Sequence, residues 1–292
     1  MKQLNLLIAL TMVGFGAFAQ TDTTANVKPD TMRIGNIVII KKGKKIISDS
    51  STREAGRLEF ERKQKSRIST NWFIVDLGFS NYDDQTNYAA LSASGDRYLA
   101  PGSSLGKNDF KLRAGKSINV NIWFFMQRLN LIKKNVNLKY GLGLELNNYR
   151  YRSAISYKED GVIPNSGGIQ SNAPFIFRDS VKFSKNKLAA DYLTVPVMLN
   201  FSTTPRYGKP TFSASFGVSA GYLYSQRNKQ KSEERGKDKN KGDYDLERFK
   251  FSYIAEIGLG PVKFYGSYSP KSIYEHSLDM RPYNFGIRLS NW

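Results

Sequence analysis

From residue 72 onward the chain alternates apolar and polar side chains in runs longer than soluble strands usually sustain. The clearest is TFSASFGVSAGYLYS, Thr211 to Ser225. Phe212, Ala214, Phe216, Val218, Ala220, Tyr222 and Tyr224 alternate with Thr211, Ser213, Ser215, Gly217, Ser219, Gly221 and Leu223. Successive strand side chains point to opposite faces, so the segment has one apolar face and one small, polar face. Two tyrosines, Tyr222 and Tyr224, close one end of the apolar row. Strands of soluble domains run about 5–6 residues. A strand crossing a membrane in a closed barrel needs a lipid face, a lumen face and an aromatic girdle.

Seven further runs share the period. Phe73, Val75, Leu77 and Phe79 alternate with Trp72, Ile74, Asp76, Gly78 and Ser80. Ile118, Val120, Ile122, Phe124 and Met126 alternate with Ser117, Asn119, Asn121 and Gln127, while Trp123 and Phe125 interrupt the polar row. A phase slip near Arg128 predicts a bulge there. Val136 to Asn147 alternates without a fault. Leu193 to Phe201 alternates around Pro196, which has no N–H to give and predicts a bulge or a gap in pairing. Phe249 to Leu259, Val262 to Tyr268 and Tyr283 to Ser290 complete the set.

The connections alternate in length. Loops at 81–111, 152–186 and 226–248, with a shorter one at 270–281, alternate with turns at 133–135, 204–210 and Gly260-Pro261. Even strand number, short turns at one end and long loops at the other predict an all-β, eight-stranded antiparallel up-and-down transmembrane β-barrel over 72–292. The long loops then face outward, and both chain ends are periplasmic. The loop 226–248 holds eight basic and six acidic residues and reads as a mobile mixed-charge loop.

Ahead of the barrel, residues 1–19 have a Lys2-bearing start, an apolar run and a small-residue end at Ala17-Phe18-Ala19, the layout of a secretory signal peptide. Residues 20–71 carry twelve basic residues against six acidic and read as a largely flexible basic tail. Within it a short strand is expected near 33–40 and a loose charged helix over 54–67. The chain has no cysteine and one histidine, His276, which removes thiolate chemistry and histidine-rich metal sites. No cofactor and no metal site is expected.

The net charge of +19 raises nucleic acid as a partner. The cations are spread over the tail and several loops with no compact recognition motif, so no nucleic-acid partner is expected. Glu275-His276-Ser277 in the last loop raises lipid hydrolysis at the rim, but adjacent loop residues seldom form a nucleophile–base pair. The inward face is predicted to carry Asp76, Arg113, Lys139, Glu145, Lys250, Glu256, Lys263 and Arg288. An eight-stranded interior is only wide enough for side chains, so these charges are expected to pair and shut the lumen. Closure of the seam with Trp72 level with Trp292 sets Ser80 against Asn284 and Asp76 against Arg288.

The phrases Asn71-Trp72-Phe73-Ile74-Val75-Asp76-Leu77-Gly78-Phe79, Asp191-Tyr192-Leu193-Thr194-Val195-Pro196-Val197-Met198-Leu199 and Phe216-Gly217-Val218-Ser219-Ala220-Gly221-Tyr222 resemble the small outer-membrane β-barrel (PorT-like) proteins of Gram-negative bacteria. Arg33-Ile34-Gly35-Asn36-Ile37-Val38-Ile39-Ile40 resembles a segment found ahead of such barrels. The resemblance implies an outer-membrane location more than an activity, and some of these barrels serve a protein-secretion and gliding apparatus. Trp292 departs from the usual pattern, being out of phase with Leu289, Ile287 and Phe285. The expectation is a non-enzymatic envelope scaffold or interaction protein in contact with outer-membrane lipid, with an envelope protein as partner through the tail or outer loops. A rim lipid hydrolase and a small-solute pore are the alternatives.

Overall fold

The computed structural model describes residues 30–34, 37–41, 67–102, 104–132, 135–203 and 211–290. The leader, nearly all of the charged stretch 54–67, the turn 204–210 and Trp292 lie outside the described residues. In the N-terminal unit, β1 (Asp30–Ile34) and β2 (Ile37–Lys41) pair antiparallel with Ile34 opposite Ile37. The single strand expected over 33–40 is therefore two. Gly35 and Asn36, between them, lie outside the described residues.

The second unit, Ser66–Trp292, begins its barrel at Ile68 and not at Trp72. In order come β3 (Ile68–Asp84), the short helix α1 (Tyr88–Ala93), β4 (Ile118–Ile132) and β5 (Val136–Arg150). The next connection holds four short strands, β6 (Ile155–Lys158), β7 (Gly161–Val162), β8 (Gln170–Ser171) and β9 (Phe175–Arg178). Then follow β10 (Lys185–Ser202), β11 (Phe212–Ser232), β12 (Gly236–Lys241), β13 (Phe249–Leu259), β14 (Val262–Tyr268) and β15 (Met280–Leu289). Eight of them, β3, β4, β5, β10, β11, β13, β14 and β15, pair antiparallel in a ring that the β10–β11 pairing closes, with β12 appended to β11. The fold is the all-β, eight-stranded barrel that the alternation predicts.

Strand periodicity sorts the side chains as expected along most of the wall. Val75, Leu77, Val195, Val197, Phe216, Val218, Phe251, Ile257, Phe264 and Ile287 all lie exposed on the outside. In water such a band would be a severe liability; against hydrocarbon it is the barrel's solvating surface. Pro196 lies opposite Ser219 of β11, while pairing with β5 lapses at Val195 and Pro196, as a missing N–H requires.

Several expectations are corrected. The bulges of β4 against β5 fall between Trp123 and Phe125 and between Asn130 and Ile132, flanking Arg128. The first of them flips the phase early, so Met126 is fully buried inside the barrel and not on the outer row. Trp72 stands outside, 67 % exposed, next to Phe73 with its positive φ of 52°. The stretch 226–248 is largely ordered β-ribbon: β11 runs on to Ser232, turns at Gly236 (φ 66°) and returns as β12. Its lysines fall on alternate positions and so keep the strand period that composition alone concealed.

Candidate functional site

The lumen is filled by ionisable and amide side chains projecting from the inward rows. Asp76, Lys139, Glu145, Lys250, Glu256, Lys263 and Arg288 are all buried. Arg113 is not among them. Ala114–Lys116 form a 3-10 turn, and Ser117 N–H donates back to the Arg113 carbonyl at 3.0 Å. Arg113 therefore sits exposed before β4 begins and not on the inward face, because the turn breaks the alternation.

The seam register is the one read from the sequence: Arg288 lies opposite Asp76, and Asn284 opposite Ser80. The Arg288 guanidinium donates from Nε to Asp76 Oδ1 at 2.6 Å and from Nη2 to Oδ2 at 2.7 Å, a bidentate fork. Its Nη1 donates to Glu256, which also receives Lys139. Asp76 accepts further from Trp123 Nε1 at 2.7 Å and Asn121 Nδ2 at 3.1 Å, while the guanidinium lies 5.3 Å from the Trp123 ring centre. Lys263 Nζ donates to Ser290 Oγ at 2.6 Å.

A second group lies nearer the loop end. Glu145 receives Lys250, Asn284 Nδ2 at 3.0 Å and Asn147 Nδ2 at 3.1 Å. Between the two groups, Tyr265 crosses the lumen wall. Tyr265, Gly286, Gly78 and Asn119 occupy one register row over four strands. The phenol passes over both glycines and donates to Asn119 Oδ1 at 2.5 Å. A cavity of about 30 Å³ remains among Glu145, Glu256, Tyr265 and Arg288, room for about one water.

Above the charges the long connections, expected only as loops, pack into a cap. Tyr98, Phe110, Tyr151, Ile155, Tyr157, Ile176, Tyr244, Leu246 and Tyr274 are buried together with Leu188, Tyr192 and Leu223 from the strand ends. Tyr151 and Tyr157 share a hydrogen bond at 2.6 Å, Tyr157 and Tyr274 one at 2.7 Å, and Tyr98 donates to the Tyr244 carbonyl at 2.7 Å. Burial raises the phenols of Tyr98, Tyr157 and Tyr274 well above their ordinary value, so they act as neutral donors at any physiological pH. Burial pushes Tyr151 up to about 12, against the lowering effect of its hydroxyl neighbours. Arg235 of the ribbon reaches Asp179 with two bonds, at 2.8 and 3.1 Å. Burial works to raise that carboxyl, and the guanidinium and the Val181 N–H overcome it to hold it below the usual carboxylate range. The signal for the cap was the alternation of Ile155-Ser156-Tyr157 and the run Phe175-Ile176-Phe177 inside a nominal loop.

At the rim, His276 Nδ1 and its backbone N–H meet Asp245 at 2.8 and 3.0 Å. Ser277 donates to Asp96. The serine and the histidine thus each engage a different carboxylate and not one another. Asp245, Glu275 and His276 lie close enough to share a cation, but the set is solvent-facing and its contacts serve the turn. The Asp245 hydrogen bond, with the carboxylate charge behind it, raises the His276 pKa above its usual 6.5. A raised native pKa gives a contribution fully present below about pH 6.5 and lost as pH climbs through the native value. Since His276 is the sole histidine, its ring resonances can be titrated without assignment. The expected result is a midpoint above 6.5 that falls toward 6.5 in Asp245→Asn; an unchanged midpoint would remove Asp245 as the cause.

The model of one protein family, described as outer membrane protein beta-barrel domain, matches residues 70–272. No curated protein and no solved structure matches the chain. The matched span runs from the start of β3 to the loop before β15 and so takes in seven of the eight ring strands. With the closed ring, the apolar outer wall and the charged interior, it shows that the chain belongs to the outer membrane protein beta-barrel domain family.

Proposed function

We propose that this outer-membrane barrel is a non-enzymatic envelope scaffold or interaction protein, anchored by its wall and working through its surfaces. The observation that carries the reading is the double obstruction of the lumen, by paired charges inside and by the tyrosine-rich cap above. A pore needs a continuous wet path, and the cavity among Glu145, Glu256, Tyr265 and Arg288 has room for about one water. Purified protein in a planar bilayer is expected to give no stable single-channel steps; regular steps would overturn the scaffold reading in favour of the small-solute pore. The rim hydrolase is disfavoured because Ser277 and His276 are bonded to separate carboxylates. Lipid deacylation that disappears in both His276→Ala and Ser277→Ala would reinstate it.

The loop end is proposed to face the cell exterior, with both chain ends in the periplasm and the basic tail, 20–71, available to an envelope protein. A part in protein secretion rests on the likeness to PorT-like barrels alone. The absence of native cysteine makes orientation testable. Lys239→Cys on β12 is expected to react with a membrane-impermeant maleimide on intact cells. Labelling only after the outer membrane is opened would invert the topology.

A further inference from the structure

β5, β10, β11 and β12 lie side by side, and their outward faces at the loop end carry a lattice of cations. The register sets Arg150, Lys187, Lys229 and Lys239 in one row across the four strands. Lys185, Lys231 and Lys237 form the next row outward, and Arg227 and Lys241 lie in the row nearer the apolar wall. Alternation puts Lys185, Lys187, Ala189 and Asp191 of β10 on the same face as Leu193, Val195 and Val197. Asp191 is the one carboxylate on this face of the four strands, and it is taken by Arg227. Lys187 donates to the Asn148 side chain and Arg150 to the Ser184 carbonyl. Among the described residues, none of the lysines in the lattice has an ion pair.

Like charges directly opposite in a sheet destabilise it. Protection of an exposed strand edge explains lysines on β12, whose second edge is unpaired in the sheet order. It does not explain Lys187 or Lys229, on strands paired at both sides. Packing does not explain them either, because the cap is served by the opposite face, through Asn186, Leu188 and Asn228. The lattice begins past the exposed apolar row that Leu193 and Tyr222 close. A register shift skips Tyr224, so Arg227, opposite Ala189, lies about 13 Å along β10 from the Leu193–Tyr222 pair, and the Lys229 row about 7 Å further. Long cationic side chains bend toward a polar interface from such positions.

We propose that this face binds an outer-leaflet lipid whose headgroup carries more than one phosphate, its chains against Leu193 and Tyr222 and its phosphates between the two inner rows of cations. Successive rows stand about 7 Å apart, so two phosphates on a compact headgroup can each meet cations from neighbouring strands. The proposal rests on the orientation given above, and the Lys239→Cys labelling tests that separately, because lipid affinity in detergent does not depend on which side the loops face.

The test uses the full chain in a maltoside detergent, with retention of diphosphoryl lipid A followed by native mass spectrometry. Phosphatidylcholine, the dephosphorylated lipid and inorganic pyrophosphate serve as comparison probes. Wild type is expected to retain the diphosphoryl lipid in preference to the others and to lose it as salt rises. Lys187→Gln with Lys229→Gln should weaken retention by about tenfold or more, and Lys187→Arg with Lys229→Arg should restore it. Because Lys187 is half-buried, the exposed triple change of Lys185, Lys231 and Lys237 to Gln provides a second variant, expected to weaken binding to a lesser degree. Equal retention of the dephosphorylated lipid, or no loss in either Gln variant, would overturn the proposal. Full competition by pyrophosphate alone would replace the lipid with a free anion. Capture of a soluble anionic polysaccharide in place of the lipid would overturn it in favour of a polyanion surface.

Discussion

Asp76→Asn is expected to destabilise the barrel by about 3–5 kcal/mol, the range for removing one partner of a buried pair, and by more than Arg288→Gln. The inequality follows from the charge around the seam. Asp76 takes two of the guanidinium's bonds, and Glu256 takes the third while also receiving Lys139. Removing the Asp76 charge leaves the guanidinium sharing Glu256 with Lys139. After removal of Arg288, Asp76 keeps the Trp123 and Asn121 donors and Glu256 keeps Lys139. The double variant should be less destabilised than the sum of the singles by at least about 0.5 kcal/mol, since residues in direct contact couple. Urea unfolding in lipid vesicles measures all three. Additive losses would show that the fork seen at the seam is energetically silent, and a larger loss for Arg288→Gln would show that the Trp123 and Asn121 donors do not hold the Asp76 carboxylate once the guanidinium is gone.

That Asp76 meets Arg288 was legible because the lumen row has a strict period of two and the ring must close between its first and last strands. The same logic placed Lys139, Glu145, Lys250, Glu256 and Lys263. It failed at Arg113, where Ala114-Gly115-Lys116 turn and cancel the count, and at Met126, where a bulge inside an aromatic run moved the phase before the polar row could report it. Both failures are local: alternation carries information only while the backbone stays extended. The cap was hidden for another reason. Tyr98, Tyr157 and Tyr274 come from three separate connections, and each is surrounded by Asn, Asp and Ser that satisfy turns. Their burial depends on contacts between distant loops, which neither hydropathy nor period reveals in any one of them. The ribbon was concealed by its charge, since lysine on alternate positions looks like a solvated loop until the strand beneath it is known.

Gly286→Ala and Gly78→Ala are expected to disrupt the seam by about 1–3 kcal/mol or more each, the usual range for forcing extra volume into a packed site. The two glycines face each other across β3 and β15, on the inner wall, where Tyr265 lies over both. A methyl at Gly286 would stand 2.3 Å from the Leu77 carbonyl oxygen and 2.5 Å from the Gly78 Cα. A methyl at Gly78 would stand 2.3 Å from the Phe285 carbonyl oxygen and 2.5 Å from the Tyr265 hydroxyl. The nearest obstacles are therefore backbone, which cannot yield without parting the strands, and the phenol is an additional one. Gly266→Ala is the matched control, because a methyl there meets only the Asn284 carbonyl oxygen at 3.9 Å, so its stability should stay within about 0.5 kcal/mol of wild type, as for an uncrowded surface change. Tyr265→Phe should lose about 1 kcal/mol with the bond to Asn119. The decisive combination is Gly286→Ala with Tyr265→Ala. If the glycine serves the close approach of the two strands, removing the ring will leave the loss from the methyl in place. Recovery of stability in that double variant would mean that Gly286 exists to seat the tyrosine, and that the strands themselves have room to spare.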